Sequence, residues 1–492
     1  MTDVLAERIR TSPTATALVV DPHEWSYAEL DTMAERFAGR LSALGLEAGD
    51  HLGVLVETRP AAVGLIHAAA RLGCVLVAFN ARLTSAELDA QTERTDLTAL
   101  ICATDTEETA VDIADDLPVV SVDESNDPAV TEFRNIEPTD FEPSPRTADD
   151  PALLLATSGT TGEPKLVVLT RENLRSSAVA SAFRLGISPD DRWLDPLSVY
   201  HMGGFAPIFR SALYGTTVVL PRGGFDPETT LAALAKHDCT GISLVPTMLR
   251  RLLDAGSLPD SLRFVLLGGA PTPPELVERC ARRNVPVHPT YGMTETASQV
   301  ATARPAEAFA NTDTVGRPLY GTRVSILDGA GDSVETGETG ELVISGPTVF
   351  AGYYDDPDAT AAAFSERGFH TGDVGHRDDA GRLWVTGRLD DQISTGGELV
   401  DPGEVVAVLR AHPAIVDAAV VGLSDPEWGE RVGALVVADG GIDRDGLEIH
   451  CRERLAGFKL PRTMAFADSL PRTASGTVER DGVREYLREH GE

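Results

Sequence analysis

The chain has 492 residues, of which 42 are basic and 76 acidic, so its formal net charge is −34. This length predicts two or more domains, and the charge argues against nucleic-acid binding and docking on anionic lipid, because no broad positive field is available. Only Lys165, Lys236 and Lys459 are lysines. Such an acidic, arginine-rich composition predicts a halophile's protein that stays soluble in concentrated salt. A GC-rich genome is the alternative explanation.

Cysteine use and the N-terminus bear on the compartment. The five cysteines (Cys74, Cys102, Cys239, Cys280 and Cys451) include no CxxC pair, so neither a disulfide nor a zinc framework is expected. The charged start MTDVLAERIR does not fit a signal peptide. The most apolar stretch, residues 60–79, contains His67 and Arg71 and predicts a buried helix and a strand rather than a membrane span. A cytoplasmic protein is expected.

The first part of the chain alternates apolar runs with helical periods. ALVV at 17–20 precedes a helical pattern at 26–45, and HLGVLV at 51–56 precedes a second at 60–72. Thr84 and Glu87 have the spacing of a capping box, which predicts the start of another helix. This alternation predicts parallel sheets covered by helices.

The pattern changes several times further along the chain. Residues 105–150, rich in acidic residues and proline, predict a solvated connection between lobes. Residues 151–320 resume the alternation, and the glycine-punctuated short strands of 321–387 predict a β-rich subdomain. The predicted class is therefore α/β, with a large N-terminal domain (1–387) of parallel-rich α/β subdomains plus this subdomain. A small α+β C-terminal domain (388–492) follows.

The sharpest functional signal follows the apolar strand PALLLA at 151–156. It consists of Thr157, Ser158, Gly159, Thr160, Thr161, Gly162, Glu163, Pro164 and Lys165. Two glycines allow a tight turn whose backbone N–H groups point at one anion, hydroxyls add donors and the lysine adds a point charge. The spacing differs from a Walker A loop. The pattern predicts a polyphosphate-binding loop, with a plain polar turn as the alternative.

This loop resembles the phosphate-loop signature of the acyl-adenylate-forming superfamily, which includes acyl-CoA synthetases, luciferases and peptide-synthetase adenylation domains. The resemblance continues in the family's order through residues 196–204, 268–271, 291–296, 340–341, 352–354, 371–373, 387–391 and 396–398. Within the superfamily, the segments 176–186, 243–253 and 291–302 look most like the o-succinylbenzoate–CoA ligases of menaquinone biosynthesis.

The resemblance implies a two-step ligation. A carboxylate attacks the α-phosphorus of ATP and expels pyrophosphate, and the CoA thiolate then attacks the acyl-AMP and releases AMP. The implied ligands are a small-molecule carboxylic acid, ATP, Mg²⁺ and CoA, with o-succinylbenzoate as the expected acid. A medium-chain fatty acid or an aryl acid is the alternative. No nucleic acid and no membrane span are expected, and a homo-oligomer is left open.

The same resemblance implies roles for individual residues. His201, Thr294, Glu295 and Lys165 are the catalytic candidates, and Glu295 would bind Mg²⁺ together with the Thr157 hydroxyl. His201, Gly268 and Ser298 would border the acyl substrate. ATP or AMP binding is implied for Thr157, Ser158, Gly159, Thr160, Thr161, Gly162, Lys165, Gly269, Ala270, Pro271, Tyr291, Gly292, Met293, Thr294, Asp373 and Arg388.

The C-terminal domain is implied to be mobile. In the family it rotates between the two half-reactions about the position of Asp390. Gly396, Gly397 and Glu398 would then belong to the face that serves CoA and thioester formation.

One position departs from the family pattern. Thr477 stands where the family carries a lysine that bridges the α-phosphate and the attacking carboxylate. Arg472, Arg480 or Lys459 is expected to supply the charge instead. Two alternatives stay open: Mg²⁺ and salt suffice at a reduced rate, or the protein is a non-adenylating homologue that only binds acyl-AMP or completes the thioester step.

Overall fold

A computed structural model describes residues 3–143, 147–157, 165–391, 393–395, 398–426, 428–455, 457–472 and 478–491. The chain forms two compact units, one of Met1–Arg323 with Ile344–Phe369 and one of Val324–Val343 with His370–Glu492. Each unit has its own buried apolar clusters. The boundary between residues 387 and 388 stays a prediction.

The helices and strands follow one another in three groups. The first group comprises α1 (Val4–Arg8), β1 (Thr16–Val20), β2 (His23–Ser26), α2 (Tyr27–Ala43), β3 (His51–Leu55), α3 (Pro60–Leu72), β4 (Val75–Ala78), α4 (Ser85–Thr92), β5 (Leu97–Cys102), α5 (Glu107–Asp112), β6 (Val119–Ser121), β7 (Val130–Glu132), β8 (Pro151–Thr157), β9 (Lys165–Thr170), α6 (Arg171–Leu185), β10 (Arg192–Leu194), α7 (Met202–Tyr214), β11 (Thr217–Val219), α8 (Pro227–Lys236), β12 (Gly241–Leu244), α9 (Pro246–Ala255), β13 (Phe264–Leu267), α10 (Pro274–Arg282), β14 (Val287–Met293), β15 (Ser298–Thr302), α11 (Pro305–Ala310) and β16 (Arg317–Pro318). The second comprises β17 (Arg323–Leu327), β18 (Gly340–Ser345), β19 (Gly352–Tyr353), α12 (Pro357–Ala363), β20 (Phe364–Ser365), β21 (Gly368–Arg377) and β22 (Leu383–Arg388). The third comprises β23 (Ile393–Thr395), β24 (Glu398–Val400), α13 (Pro402–Arg410), β25 (Ile415–Asp425), β26 (Gly429–Ala438), α14 (Arg444–Arg452), β27 (Thr463–Phe466) and α15 (Arg480–His490).

Two large sheets organise the first unit. The nine-stranded sheet has the order β16-β15-β14-β13-β12-β10-β11-β1-β2, and the eight-stranded sheet has the order β19-β9-β8-β4-β3-β5-β6-β7. Both are parallel in the middle and antiparallel at one or both ends. The predicted parallel sheets are thus confirmed, and the carboxyl ends of neighbouring parallel strands lie side by side, where α/β proteins commonly bind ligands.

Helix caps follow the sequence closely. The Ser26 hydroxyl accepts from the backbone N–H of Glu29 and the Glu29 carboxylate accepts from the Ser26 N–H, which starts α2. Thr84 and Glu87 form the same reciprocal pair at α4, as their spacing predicts. Gly73 ends α3 with φ 90°, a conformation that glycine adopts without steric cost.

The acidic segment 105–150 differs from its expectation as a solvated connection. It contains α5 and the short strands β6 and β7, which extend the eight-stranded sheet in parallel. Val119 and Val120 pair with Leu100 and Ile101 of β5 and are buried. The correction has a simple cause: a three-residue strand buries its apolar side chains while the acidic residues around it occupy turns, so composition alone hides it.

Smaller sheets complete the chain. Strands β17, β18, β21 and β20 form one in that order, with β22 on β21, and this confirms the β-rich character expected of 321–387. Strands β24, β23, β26 and β25 form another, with β27 parallel to β26, and they pack with α13, α14 and α15. The predicted α/β class with a small α+β C-terminal part is confirmed. Among the described residues, no helix combines the length and apolar character that crossing a membrane requires.

Candidate active site

The predicted phosphate loop is anchored on two adjacent strands of the first unit. Thr157 ends β8, Lys165 begins β9, and the two are direct partners in the antiparallel ladder. The Thr157 hydroxyl donates to the Lys165 carbonyl at 3.3 Å. Ser158, Gly159, Thr160, Thr161 and Gly162 lie outside the described residues.

Lys165 belongs to a cluster with Tyr353 and Glu295, which we call the phosphate-end cluster. The Lys165 ammonium lies 4.8 Å from the centre of the Tyr353 ring. The Tyr353 hydroxyl is 3.3 Å from Oε1 of Glu295 and donates to it. The structure therefore brings together Thr157, Lys165 and Glu295, three residues that the sequence predicts for phosphate and metal binding.

These residues fit Mg²⁺ in their chemistry. Mg²⁺ prefers oxygen ligands and is commonly held by one or two carboxylates together with substrate phosphates. Glu295 supplies one carboxylate and Thr157 a hydroxyl. Among the described residues, no group of three or more His, Cys, Asp or Glu side chains is placed to hold a metal ion.

Glu295 sits on a strained turn. It lies in the 3-10 helix Thr294–Thr296 directly after β14, and the two residues that follow, Ala297 and Ser298, have φ values of 51° and 111°. The Ser177 hydroxyl of α6 donates to the Ala297 carbonyl at 2.5 Å. Non-glycine residues with positive φ persist only where their surroundings hold them, and they cluster at functional sites. The turn thereby fixes Glu295 and Ser298 on either side of Ala297.

Several residues predicted to bind ATP or AMP, together with the predicted acyl-site residue Gly268, lie at the ends of the neighbouring parallel strands β13 and β14. Gly268, Gly269, Ala270 and Pro271 follow β13, and Tyr291, Gly292 and Met293 end β14. A Cβ at Gly292 would lie 1.7 Å from the Ser298 carbonyl oxygen, and one at Gly268 would lie 2.6 Å from Thr290 Cγ2. These two glycines therefore permit close approach of backbone to its neighbours.

His201 forms the N-cap of α7. Its ring packs edge-to-face on Tyr200, with centroids 4.9 Å apart. The side chain of His201 is exposed, and its pKa is lowered first by loss of hydration beside neighbouring groups and then by the Arg82 guanidinium. A Cβ at Gly204 would lie 2.5 Å from the Ser198 carbonyl oxygen, so glycine lets the preceding turn approach α7. His201 is thus placed as a neutral imidazole at pH 7.

A small cavity of about 10 Å³ lies between α6, α7 and β15. Its lining consists of Leu174, Ser177, Ala178, Ser181, Met202, Phe205, Ala206, Phe209, Arg210, Ala297, Ser298 and Gln299. Ser298 is a predicted acyl-site residue, and Met202 directly follows His201. His201 and Gly268 themselves are not part of this lining. The lining combines apolar side chains with five polar or charged ones, Ser177, Ser181, Arg210, Ser298 and Gln299.

Arg210 is the charged residue of this lining, and the sequence reasoning missed it. It is only 4% exposed, its guanidinium stacks 4.2 Å from the centre of the Trp193 ring, and Nη1 donates to the Ser181 hydroxyl at 2.9 Å. Within the part of the chain that the structure describes, Nη2 is buried and has no hydrogen-bond partner. A buried donor without a partner is costly, so a water or a ligand oxygen is expected beside this atom.

Burial shifts the pKa values of both Arg210 and Asp195. Burial lowers the pKa of Arg210 to about 10, which still leaves it charged at pH 7. Burial raises the pKa of Asp195 well above its ordinary value, with the Arg210 charge opposing that rise. Burial thus acts on both groups in the direction that disfavours their charged forms.

The second unit contains the residues predicted to bind ribose. Asp373 and Arg388 are cross-strand partners on β21 and β22, and Arg388 Nη1 donates to Asp373 Oδ1 at 3.0 Å. The Thr371 hydroxyl accepts from the Asp373 N–H at 3.0 Å. Arg388 Nε is buried and has no hydrogen-bond partner among the residues described. The structure thus brings this predicted pair together.

Some of the other residues predicted to act in the second unit lie within the described ranges, and others lie outside them. Asp390 lies in the 3-10 helix Leu389–Asp391, and Glu398 begins β24. Gly396, Gly397 and Thr477 lie outside the described residues.

The three cations proposed to replace the family lysine each have a carboxylate partner in the second unit. Arg480 pairs with Asp391 at 2.5 Å, and Lys459 pairs with Glu404 at 2.5 Å. Arg472 pairs with Asp417 at 2.6 Å. Any of them would exchange a carboxylate for phosphate if it acted in the reaction.

Comparison with known proteins places these features in a family. The family described as AMP-binding enzyme matches residues 5–354, and the AMP-binding enzyme C-terminal domain matches residues 404–477. A 2-succinylbenzoate–CoA ligase of Bacillus licheniformis is 38% identical over 485 residues, which cover 97% of this chain and 98% of that protein.

Solved structures agree with the sequence matches. The o-succinylbenzoate CoA synthetase of Bacillus subtilis in complex with the acyl-adenylate intermediate OSB-AMP has a TM-score of 0.90 at 34% identity, covering 98% of both chains. The same enzyme in complex with ATP and magnesium ion also has a TM-score of 0.90 at 34% identity, covering 99% of both chains. The chain therefore belongs to the AMP-binding enzyme family.

Proposed function

We propose that the chain is an AMP-forming acid–CoA ligase that converts 2-succinylbenzoate, ATP and CoA into 2-succinylbenzoyl-CoA through an acyl-adenylate, in menaquinone biosynthesis. The observation that carries this substrate is the buried cation of Arg210 in the pocket beside Ser298. The activated acid has a second carboxylate, which needs such a partner. The 2-succinylbenzoate–CoA ligases that match nearly the whole chain support the proposal.

The first step joins the carboxylate oxygen to the α-phosphorus and releases pyrophosphate. Lys165 and Thr294 bind phosphate oxygens, and Glu295 with the Thr157 hydroxyl holds Mg²⁺. When bound, Mg²⁺ neutralises charge on the phosphates. Catalysis of this step depends on positioning and charge stabilisation, because the protein itself contributes little covalent chemistry to the attack at phosphorus. Ser158, Gly159, Thr160, Thr161 and Gly162 complete the proposed phosphate loop.

The acyl end orients the acid. Arg210 offers two N–H groups to the second carboxylate, and a guanidinium binds a carboxylate in a planar, paired arrangement. Trp193 and Ser181 hold the guanidinium in place. His201 and Ser298 border the reacting carboxylate, and Gly268 lets the β13 loop approach it. A medium-chain fatty acid lacks the second carboxylate and would leave the buried Arg210 charge unpaired.

The remaining assignments concern AMP and CoA. Gly269, Ala270, Pro271, Tyr291, Gly292 and Met293 enclose adenine, and Asp373 with Arg388 binds the ribose hydroxyls. Residues 388–492 act as a mobile domain that turns about Asp390 and brings Gly396, Gly397 and Glu398 to the CoA thiol. The enzyme is proposed to work in the cytoplasm.

An acid panel tests this function. The purified chain is assayed in molar KCl for CoA-dependent AMP release with 2-succinylbenzoate, benzoate, octanoate and 4-oxo-4-phenylbutanoate, which lacks the ring carboxylate. We expect 2-succinylbenzoate to give the highest kcat/KM. Turnover of the other acids with 2-succinylbenzoate ignored would overturn the substrate, and AMP release with none of them would favour a non-adenylating homologue.

A further inference from the structure

Tyr353 contacts the two oppositely charged residues of the phosphate-end cluster at once. Its ring lies under the Lys165 ammonium at 4.8 Å, and its hydroxyl donates to Glu295 at 3.3 Å. A cation over an aromatic face is attracted by the ring, and a hydroxyl that donates to a carboxylate fixes the orientation of that carboxylate. One side chain therefore influences both charges.

The backbone around Tyr353 is held on several sides. Tyr353 pairs with Val167 across β19 and β9, two residues after Lys165. Its N–H donates to the Thr360 hydroxyl of α12 at 2.9 Å. Gly352 has φ 143°, and a Cβ there would lie 2.8 Å from Thr360 Cγ2, so this strand requires glycine to reach α12. The short strand β19 is thus fixed to both β9 and α12.

Phe350 connects the same segment to Glu295. Its N–H donates to the Glu295 carbonyl at 2.8 Å, and its ring packs edge-to-face on Tyr353 at 4.9 Å. Phe350 is buried at 3% exposure and also packs on Phe364 and Phe369. The backbone of Glu295 and the side chain of Tyr353 are therefore held by one rigid apolar group.

We propose that Tyr353 is a positioning residue that orients the Glu295 carboxylate for Mg²⁺ while holding the Lys165 ammonium over its ring, ready for phosphate. The inference rests on the proposed function in one respect, the assignment of Glu295 as a Mg²⁺ ligand. Groups that hydrogen-bond to a metal ligand orient it, and their loss typically weakens metal affinity by about 10–100-fold. Tyr353→Phe removes only the hydroxyl and keeps the ring under Lys165.

The chain offers a matched control in the next residue. The Tyr354 hydroxyl donates to Asp96 at 2.7 Å and makes its contact away from Glu295. Tyr354→Phe therefore removes a tyrosine hydroxyl from the same strand region without touching the cluster. A third variant, Tyr353→Leu, also removes the aromatic face.

The test is calorimetric and uses no acid substrate. ATP binding is titrated at increasing Mg²⁺ for the wild type and the three variants, and AMP binding is measured without Mg²⁺. We expect Tyr353→Phe to need about tenfold more Mg²⁺ for the same ATP affinity, with AMP affinity within twofold of wild type and Tyr354→Phe unchanged. Tyr353→Leu is expected to weaken ATP binding without Mg²⁺ as well, because Lys165 loses its support.

Two results would overturn the inference. A Mg²⁺ requirement of Tyr353→Phe equal to wild type would show that the hydroxyl does not orient Glu295. Equal losses in Tyr353→Phe and Tyr354→Phe, with AMP binding lost as well, would indicate general destabilisation. Pyrophosphate exchange with 2-succinylbenzoate, measured on the wild type alone, tests the proposed function separately, so either proposal can fail without the other.

Discussion

The two ends of the candidate site in the first unit hold their cations in opposite ways. Lys165 at the phosphate end is partly exposed and lies over the Tyr353 ring beside a carboxylate. Arg210 at the acyl end is 4% exposed and stacks on Trp193. Both are cation–aromatic pairs, but Lys165 is partly exposed to solvent, whereas Arg210 is buried.

The difference follows from the chemistry of the two side chains. An ammonium is a compact, strongly hydrated point charge, which suits phosphates that arrive and leave with water and Mg²⁺. A guanidinium is planar and weakly hydrated, so it is buried at lower cost and presents paired donors to a carboxylate. In a chain with only three lysines, one stands at the phosphate loop. We therefore expect salt to change nucleotide binding at the exposed Lys165 end and to leave acid recognition at the buried Arg210 end nearly unchanged.

Removal of the buried Arg210 cation gives the largest expected effect. Arg210→Met should lower kcat/KM for 2-succinylbenzoate by about 30-fold to about 4,000-fold, because losing one partner of a buried charge pair costs about 2–5 kcal/mol. The kcat/KM for 4-oxo-4-phenylbutanoate, which never uses Arg210, should stay within about threefold. AMP release with the two acids, measured side by side, checks this ratio.

Graded variants show whether the effect belongs to the charge or to the fold. Arg210→Lys keeps the charge but loses the planar fork, and Ser181→Ala removes only the hydroxyl that accepts from Nη1. Both should fall between wild type and Arg210→Met. Equal losses for both acids in Arg210→Met, together with a lower Tm, would mean that Arg210 supports packing rather than substrate choice.

Much of the fold could be predicted from periodicity and caps. The capping pair Thr84–Glu87 and the apolar runs of β1, β3 and β4 appear where the sequence indicates them. The strands β6 and β7 could not be predicted because three-residue strands carry too little pattern against acidic surroundings. Helix ends can be predicted from local side-chain chemistry. The pairing of short strands depends instead on contacts with residues that are distant in the sequence.

The candidate site, like the fold, could be predicted from the sequence only in part. Thr157, Lys165 and Glu295 lie in motifs, and the structure brings them together. Arg210 lies outside the motifs, and its only sequence signal is a charge within the apolar helix MGGFAPIFRSALY. Tyr353 lies in a motif, but its contacts with Lys165 and Glu295 require β19 to add to β9, which no local pattern shows.

Adding a lysine at position 477 gives a smaller expected effect. If a nearby arginine or Lys459 already supplies the charge, Thr477→Lys should raise acid-dependent ATP–pyrophosphate exchange by less than about tenfold. If no cation substitutes, the new lysine should raise exchange by about 100-fold or more, since one such contact is worth about 2.7–4 kcal/mol. Exchange in the wild type and in Thr477→Lys separates the two.

The substitute cation can be identified in the same assay. Arg472→Met, Arg480→Met and Lys459→Met each remove one candidate from its carboxylate partner. The variant that loses exchange should recover it when Thr477→Lys is added. Full exchange after removal of all three cations would refute substitution.

Changing the salt concentration gives the smallest expected effect, and it tests the contrast between the exposed Lys165 end and the buried Arg210 end directly. Screening extends over about 10 Å at 0.1 M salt but about 3 Å at 1 M, so a chain of charge −34 repels polyanions more strongly in dilute salt. We expect ATP and AMP to bind several-fold more weakly at 0.2 M KCl than at 2 M. The preference for 2-succinylbenzoate over 4-oxo-4-phenylbutanoate should change less than twofold, because Arg210 is buried from the ions. Calorimetry and acid discrimination at both salt concentrations, with circular dichroism to confirm folding, measure these quantities. Tighter nucleotide binding on dilution would contradict the repulsion, and a salt-dependent preference would place Arg210 in contact with solvent.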